Sequence, residues 1–312
     1  MAGTPRVKLG TRGSPLALAQ THEVRRRLAE AHGVPEDTFE IVVIKTTGDM
    51  IQDRPLSESG GKGLFTKELD IAMLEGRIDI AVHSSKDLPT FLPDGISLAG
   101  FLPREDVRDV LISAAATSVR ELPQGATFGS ASLRRQAQLL RLRPDLKPVL
   151  LRGNVETRLR KAETGEVGAT MLALAGLKRL GLAHRATTVL DTEDFLPAVG
   201  QGAIGITART DDHATKVTLG AILDGATGAA LTVERSFLAV LDGSCRTPIA
   251  GHATVVDGRI EFRGEILRPD GSQFWTVRES GDVGEAEAIG VRAGRALLES
   301  APADVLAHGS HS

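Results

Sequence analysis

The hydrophobic positions in more than the first half of the chain alternate between two spacings, one typical of strands and one typical of helices. Short apolar runs predict buried strands at Val7–Leu9, Phe39–Ile44, Ile78–Val82, Ala126–Gly129, Pro148–Leu151 and Gly168–Leu172. Between them, apolar residues recur every three or four positions and predict amphipathic helices. These helices follow the N-cap candidates Ser14, Ser130 or Ser132, and Asn154. Such alternation is typical of α/β domains, with ligands at the strand ends.

The last part of the chain has a different pattern. Three β-rich segments within Gly251–Ser280 are separated by Asp257-Gly258 and Asp270-Gly271, which are hairpin signals. An amphipathic helix that carries Ile289 and Leu297 follows them. This order predicts an α+β domain with a small antiparallel sheet.

Length and composition are those of an ordinary globular protein. A chain of 312 residues with 25% charged and 41% hydrophobic residues predicts two or three domains rather than a disordered or fibrous protein. It has no long uncharged apolar run and no hydrophobic signal segment, so we expect a cytoplasmic protein without a membrane span. The single cysteine, Cys245, excludes an internal disulfide and a cysteine-cluster zinc site.

Basic residues are concentrated in one part of the chain, although the net charge of the whole chain is only −3. Between residues 134 and 161, nine basic residues stand against two acidic ones, which gives +7 there and leaves −10 for the remainder. The nine are Arg134, Arg135, Arg141, Arg143, Lys147, Arg152, Arg158, Arg160 and Lys161. This concentration indicates a place that binds anions. Because aromatic residues make up only 3% of the chain, base stacking is disfavoured, and a small polyanionic ligand fits better than nucleic acid.

Several candidate anion-binding groups lie in loops or at helix starts, where free backbone N–H groups already favour anions. Arg12 and Ser14 precede the first predicted helix, and they fit either an anion site or an ordinary N-cap beside a solvated arginine. Lys62 lies in the glycine-rich run Gly60–Gly63, which lacks the GxxxxGK[ST] pattern of a nucleotide P-loop. We therefore interpret that run as a mobile basic loop.

Two further residues could carry chemistry, and each has a plain structural alternative. Asp87 ends the polar run His83–Asp87 after a predicted strand, where a carboxylate could stabilise a cation or could simply form a turn. Cys245 lies beside Arg246, an environment that favours a thiolate nucleophile or attachment point. Most lone cysteines are nevertheless buried and inert.

Six motifs, taken together and in one order, decide between these alternatives. They are Thr11–Leu18 (TRGSPLAL), Gly60–Phe65 (GGKGLF), Ala81–Asp87 (AVHSSKD), Ser132–Arg135 (SLRR), Leu151–Val155 (LRGNV) and Pro197–Gly202 (PAVGQG). In this order they closely resemble the porphobilinogen deaminase family, also called the hydroxymethylbilane synthases. The match runs from about Val7 to the end of the chain and is weakest in the last domain.

The resemblance implies an α/β fold with three domains. Two of them are α/β domains like the halves of a type II periplasmic binding protein, joined by a hinge. The third is a C-terminal α+β domain with a small antiparallel sheet, and it carries the attachment cysteine. The implied boundaries are 1–102 with 200–220 for domain 1, 103–199 for domain 2, and 221–312 for domain 3.

The resemblance also implies an enzyme, a transferase of tetrapyrrole (haem- or chlorophyll-type) biosynthesis. Its dipyrromethane cofactor is joined by a thioether to Cys245. Four porphobilinogen molecules are added in turn with loss of ammonia, and hydrolysis then releases linear hydroxymethylbilane. Each pyrrole brings an acetate and a propionate, which arginine binds well. The implied protein is a cytoplasmic monomer with no metal, nucleic-acid or membrane partner.

Residue roles follow from the same resemblance. Asp87 matches the catalytic carboxylate of the family, which holds pyrrole N–H groups and stabilises an azafulvene-like cation. The residues implied for cofactor binding are Cys245, Ser84, Lys86, Asp87, Ser132, Arg134 and Arg135. The residues implied for substrate binding are Arg12, Ser14, Lys62, Arg152, Asn154, Arg158, Arg179 and Gln201.

The chain departs from the family pattern at three places. It has Gly243-Ser244-Cys245 where many members carry Gly-Gly-Cys, which leaves the thiol in place. Some members carry a lysine at the position of Glu58 and an arginine at that of Thr47. No carboxylate-binding role is transferred to those two residues.

Two other classes of function compete with the enzyme. A non-catalytic solute-binding or sensor protein could use the same hinged scaffold, but it needs neither the cysteine nor a catalytic carboxylate. An RNA-binding protein could use residues 134–161. That hypothesis predicts salt-dependent RNA binding with several phosphate contacts.

Overall fold

The structure is a computed structural model that describes residues 6–50, 63–241 and 247–306 of the chain. The described residues divide into two compact units. The first takes its residues from Met1–Ile51, Gly63–Glu105 and Ala203–Gly228, and the second takes them from Asp106–Gly202 and Ala229–Ser312.

The elements of this described part are numbered in chain order. The strands are β1 Val7–Thr11, β2 Phe39–Val43, β3 Ile80–Ser84, β4 Ile96–Phe101, β5 Asp109–Ile112, β6 Thr127–Gly129, β7 Lys147–Val149, β8 Ala169–Ala173, β9 Thr188–Val189, β10 Ile204–Arg209, β11 Ile249–Val256, β12 Arg259–Leu267 and β13 Phe274–Asp282. The helices are α1 Pro15–His32, α2 Thr47–Met50, α3 Lys67–Leu74, α4 Leu133–Leu142, α5 Val155–Glu163, α6 Leu174–Arg179, α7 His213–Gly220, α8 Gly225–Val240, α9 Ala286–Ser300 and α10 Ala303–Leu306.

The first unit is built on a five-stranded sheet with the order β2-β1-β3-β10-β4. Strand β1 is parallel to β2 and β3, whereas β10 is antiparallel to both β3 and β4. Helix α1 forms as its ends predict, because Ser14 accepts a hydrogen bond from the Ala17 N–H and Gly33 adopts a left-handed conformation at the other end. Val24 and Leu28 of this helix are fully buried in the core of the unit.

The second unit contains another five-stranded sheet, with the order β7-β6-β8-β5-β9. Strand β6 is parallel to β7 and β8, whereas β5 is antiparallel to β8 and β9. The caps that the sequence predicts are confirmed, since Ser132 accepts from the Arg135 N–H and Asn154 from the Thr157 N–H. These caps start α4 directly after β6 and α5 directly after β7.

The C-terminal part of the second unit is an antiparallel sheet, β11-β12-β13, covered by helices. Phe237 of α8 meets Phe262 of β12 edge to face, with ring centroids 4.9 Å apart. The turn at Gly271 lies against α4, since a Cβ on that glycine would lie 2.5 Å from the backbone nitrogen of Arg141. The predicted fold class, mixed α/β sheets followed by a small α+β domain, is confirmed.

Some predicted bounds are wrong, and some elements were missed. The strand expected at Ile78–Val82 lies at Ile80–Ser84. Strand β4 and helix α8 had no recognised signal, although each contributes buried hydrophobic residues. None of the helices in the described part of the chain has both the length and the apolar character that a membrane crossing needs.

Candidate active site

The first group of candidate residues lies at the carboxyl ends of two neighbouring parallel strands. Strands β1 and β3 pair through Leu9 with Ile80 and Gly10 with Ala81. Because parallel strands end at the same edge of a sheet, Arg12 after β1 and the residues after β3 share that edge.

The turn after β3 presents Asp87 to solvent. Residues Ser85–Asp87 form one turn of 3₁₀-helix, closed by a hydrogen bond of 3.2 Å from the Leu88 N–H to the Ser85 carbonyl. The Ser85 N–H donates to the Ala203 carbonyl at 3.0 Å, which ties the turn to the chain entering β10. Lys86 and Asp87 are exposed, and within the described residues the Asp87 carboxylate forms no hydrogen bond or ion pair. It is therefore available to a substrate.

Ser84, at the end of β3, is held by a side chain that the sequence analysis missed. The buried Gln20 of α1 donates to the Ser84 oxygen at 2.9 Å, and its own amide oxygen lies 3.1 Å from that hydroxyl. Gln20 lies on the apolar face of α1 with Ala17 and Val24. A polar residue on such a face is the signal that could have revealed it.

Arg12 and Ser14 occupy the turn between β1 and α1. The Arg12 guanidinium lies over the Phe65 ring, 4.1 Å from its centroid, an arrangement that holds a cation by a cation–π interaction. The Ser14 hydroxyl is occupied as the N-cap of α1. The Phe65 ring therefore holds the Arg12 guanidinium at the sheet edge where β1 and β3 both end. The prediction that Ser14 is an ordinary N-cap is confirmed.

His83, the first residue of the polar run His83–Asp87, is a buried structural residue. Its Nε2 lies 3.1 Å from the Thr207 hydroxyl of the neighbouring strand β10. Burial, and secondarily the positive charge of Arg12, lowers the pKa of His83 to about 3. The folded chain therefore holds this imidazole neutral at physiological pH.

This neutral histidine predicts a loss of stability in mild acid. An unfolded histidine binds its proton near pH 6.5, so below that pH the unfolded chain binds more protons, and stability falls until the folded pKa is reached. From pH 7 to pH 5 we expect His83 to cost about 2 kcal/mol of unfolding free energy. In His83→Gln this part of the loss should disappear, as measured by denaturant unfolding at both pH values. The exposed His184→Gln should keep the wild-type pH dependence, and equal losses in all three proteins would contradict the prediction.

The second group of candidate residues lies at the carboxyl ends of β6, β7 and β8. Ser132 and Asn154 cap the helices that follow β6 and β7, and half-buried Arg152 precedes the second cap. Arg158 donates from Nε to the Gly153 carbonyl at 2.9 Å. Arg179, at the end of α6 after β8, donates to the Gly202 carbonyl at 3.0 Å.

Arg134 and Arg135 are buried around a carboxylate that the sequence did not single out. Arg134 Nη2 donates to Asp109 Oδ2 at 2.7 Å, and Arg135 Nη2 donates to Asp109 Oδ1 at the same distance. Gln201 Nε2 also donates to Asp109 Oδ1, at 2.9 Å. The side chain of Asp109 is completely inaccessible to solvent, and those of both arginines are nearly so.

The electrostatics of this cluster leave an excess of positive charge beside Asp109. Burial alone would raise the pKa of Asp109, but Arg134 and Arg135 outweigh it and hold the pKa below its ordinary value. Asp109 is therefore ionised. Two guanidiniums thus share one carboxylate, which leaves a net charge of +1 for an anion to compensate.

Three of the seven other basic residues of the 134–161 stretch have acidic partners within the same unit. Arg141 pairs with Glu265, Arg143 with Asp145, and Lys161 with Glu166. The net charge of +7 counted along the sequence is therefore not the charge of one solvated face. This arrangement weakens the case for a basic surface that binds RNA.

Some predicted site residues lie outside the described residues, namely Lys62 and Cys245, as does Glu58. Thr47 is described, and both its N–H and its hydroxyl donate to the Glu68 carboxylate. Among the described residues, no group of three or more His, Asp or Glu side chains could hold a metal ion.

Comparison with known proteins places the chain in a family. The family description "Porphobilinogen deaminase, dipyromethane cofactor binding domain" matches residues 7–217, and "Porphobilinogen deaminase, C-terminal domain" matches residues 229–299. The chain belongs to the porphobilinogen deaminase family. The prediction made from the six motifs is confirmed, and these matches cover most of the chain.

Individual relatives agree with this assignment. The chain is 61% identical over 293 residues to a porphobilinogen deaminase of Nitrobacter winogradskyi, which covers 94% of this chain and 93% of the relative. It is 54% identical over 298 residues to one of Paracoccus denitrificans, covering 96% and 95%. Among solved structures it is similar to the methionine-binding protein MetQ, with a TM-score of 0.45 and 14% identity, over 70% of this chain and 91% of that one.

Proposed function

We propose that the chain is the transferase that joins four porphobilinogen molecules head to tail on a covalent dipyrromethane primer and releases hydroxymethylbilane. Each new carbon–carbon bond expels one ammonia, and one water is consumed at release, so that four porphobilinogen and one water give one bilane and four ammonia. The observation that carries the proposal, beside the family membership, is the exposed Asp87 carboxylate, which has no hydrogen-bond or ion-pair partner among the described residues.

Asp87 is proposed as the catalytic residue. As ammonia leaves porphobilinogen, positive charge spreads over the pyrrole ring of the substrate. A carboxylate that accepts the pyrrole N–H stabilises this charge with little reorganisation when the backbone that carries it is held in place. The bonds of Ser85 to Ala203 and to Leu88 support such a fixed position, and Arg12 beside Phe65 supports a carboxylate-binding role at the same sheet edge.

The residues present fit a dipyrromethane cofactor by the chemistry of their donors. The excess positive charge around Asp109 suits the acetate and propionate groups of two pyrroles. When bound, the cofactor supplies a pyrrole with a free α-carbon to which the first substrate is joined. We propose Cys245 as the thioether residue, and Ser84, Lys86, Asp87, Ser132, Arg134 and Arg135 as the residues that hold the cofactor.

For the carboxylates of the substrate and the growing chain, we propose residues at the strand ends of both units. They are Arg12, Ser14, Lys62, Arg152, Asn154, Arg158, Arg179 and Gln201. The side chains of Ser14 and Asn154 already cap helices. At these two positions, the backbone N–H groups of the helix N-terminus would therefore bind the carboxylates, rather than a free hydroxyl or amide group. Gln201 would act through Asp109, to which it donates.

Further parts of the proposal rest on the resemblance. We propose a monomer that acts in the cytoplasm, with porphobilinogen as its partner and without nucleic-acid or membrane partners. We also keep the three-domain division at 1–102 with 200–220, 103–199 and 221–312 as a proposal.

The function is tested by following porphobilinogen and ammonia together with the purified chain. We expect one ammonia for each porphobilinogen consumed and one bilane for every four. A solute-binding protein would instead bind porphobilinogen without releasing ammonia, and that result would overturn the proposed reaction.

A further inference from the structure

Glu234 is a carboxylate buried in the second unit. It lies on α8, and its solvent exposure is 0%. Its Oε2 accepts the Gly200 N–H at 2.7 Å and its Oε1 accepts the Ala253 N–H at 2.8 Å. A carboxylate is the side chain that can accept at both oxygens at once, so Glu234 joins β11 to the chain around Gly200.

The chain around Gly200, which we call the Gln201 segment (Leu196–Gly202), holds several of the proposed binding residues. The Leu196 carbonyl accepts from Arg134 Nη1 at 2.9 Å. The Gln201 side chain donates to Asp109, the carboxylate that both buried arginines share. At the other end of the segment, the Gly202 carbonyl accepts from Arg179.

The same segment has a second attachment to the C-terminal sheet. The Gly251 N–H of β11 donates to the Pro197 carbonyl at 3.0 Å. The segment is therefore fixed near its start by β11 and in its middle by Glu234. Both attachments come from the C-terminal part of the second unit, although the residues that the segment holds lie on β5, α4 and α6 in the other part of that unit.

We propose that Glu234 is a positioning residue for the binding of carboxylates by Arg134 and Arg179. It acts through the Gly200 N–H, which fixes the Gln201 segment and with it the hydrogen-bonding partners of Arg134, Arg179 and Asp109. This proposal rests on the proposed function, because those residues are the ones assigned to cofactor and substrate. It gives the C-terminal part of the chain a role in binding beside that of carrying Cys245.

The variant that tests the proposal is Glu234→Gln, which keeps the shape of the side chain. A glutamine has one acceptor oxygen, so its NH₂ group would face either the Gly200 N–H or the Ala253 N–H and leave that donor unbonded. The matched control is Ile289→Val on α9, a fully buried site of the same C-terminal part that lies beside Gly281 of β13. The Ile289→Val variant shows how a general loss of packing in this part of the unit changes hydrogen exchange and KM.

Two readouts separate positioning from stability. In Glu234→Gln we expect amide hydrogen exchange of the Gln201 segment to be at least tenfold faster and KM for porphobilinogen to rise at least fivefold, with a smaller change in kcat. In Ile289→Val both should stay within twofold of wild type. Unchanged exchange, or an unchanged KM in a folded Glu234→Gln variant, would overturn the proposal.

A measurement on the wild-type chain keeps the test decisive if Glu234→Gln does not fold. The Gly200 amide should then exchange at least a hundredfold more slowly than an exposed loop amide, and fast exchange there would overturn the proposal. A wild-type chain that releases no ammonia from porphobilinogen would remove the proposed function instead. Hydrogen exchange does not depend on turnover, so the exchange experiment tests the role of Glu234 separately from the proposed reaction.

Discussion

Replacing Asp87 with asparagine should lower kcat with porphobilinogen by about 1000-fold, because the group that stabilises the developing charge is lost while its shape remains. Stability should hardly change. The side chain is exposed and has no bonding partner among the described residues, so we expect the unfolding free energy to stay within about 0.5 kcal/mol of wild type. Steady-state kinetics and urea denaturation of the same preparation measure the two quantities.

The control for this variant is Asp94→Asn, an exposed aspartate in the same connection between β3 and β4. It changes the net charge of the first unit by the same amount but lies seven residues away in sequence. We expect full activity from it. Turnover of Asp87→Asn within tenfold of wild type would remove Asp87 from the catalytic role.

Local signals in the sequence were enough to predict most of the elements that place the candidate site. Ser14, Ser132 and Asn154 each cap the helix expected of them, because a cap depends on residues two or three positions away in the chain. The turn that carries Asp87 was also placed directly after a buried strand, although that strand lies two residues later than predicted.

The partners of the site residues could not be predicted, because they are distant in sequence. Asp109 meets Arg134 and Arg135 across about 25 residues, and within its own apolar strand it has no pattern that marks a buried ion cluster. Glu234 meets Gly200 across 34 residues in the same way. The role of a buried charged residue can be recognised only when its hydrogen-bonding and ion-pair partners are known.

The charge distribution gives the clearest example of this limit. Counting charges along residues 134–161 indicated a place that binds anions, but such a count treats each side chain as solvated and unpaired. In the structure, Arg141 and Arg143 pair with Glu265 and Asp145, and two of the other arginines, Arg134 and Arg135, are buried around Asp109. The functional conclusion survived because it rested on the six ordered motifs rather than on the charge count.

Replacing Cys245 with serine should give a chain that carries no covalent pyrroles. A serine hydroxyl is a far weaker nucleophile than a thiolate and gives no thioether. Intact-protein mass spectrometry should show the wild-type chain heavier than its amino acids by two pyrrole units and the variant at its amino-acid mass. Without a primer, the variant should not turn over porphobilinogen. Cys245 is the only cysteine in the sequence, so no other thiol could replace it.

The matched control is Ser244→Gly, which changes the neighbouring residue to the glycine that many family members carry and leaves the thiol in place. It should retain both the added mass and the activity, because the thioether requires only the sulfur. Added mass on Cys245→Ser would place the attachment at another side chain. A wild-type chain at its bare amino-acid mass, even after incubation with porphobilinogen, would contradict the covalent primer itself. Mass therefore tests the primer independently of the role of Asp87, whose replacement should leave the attached pyrroles detectable.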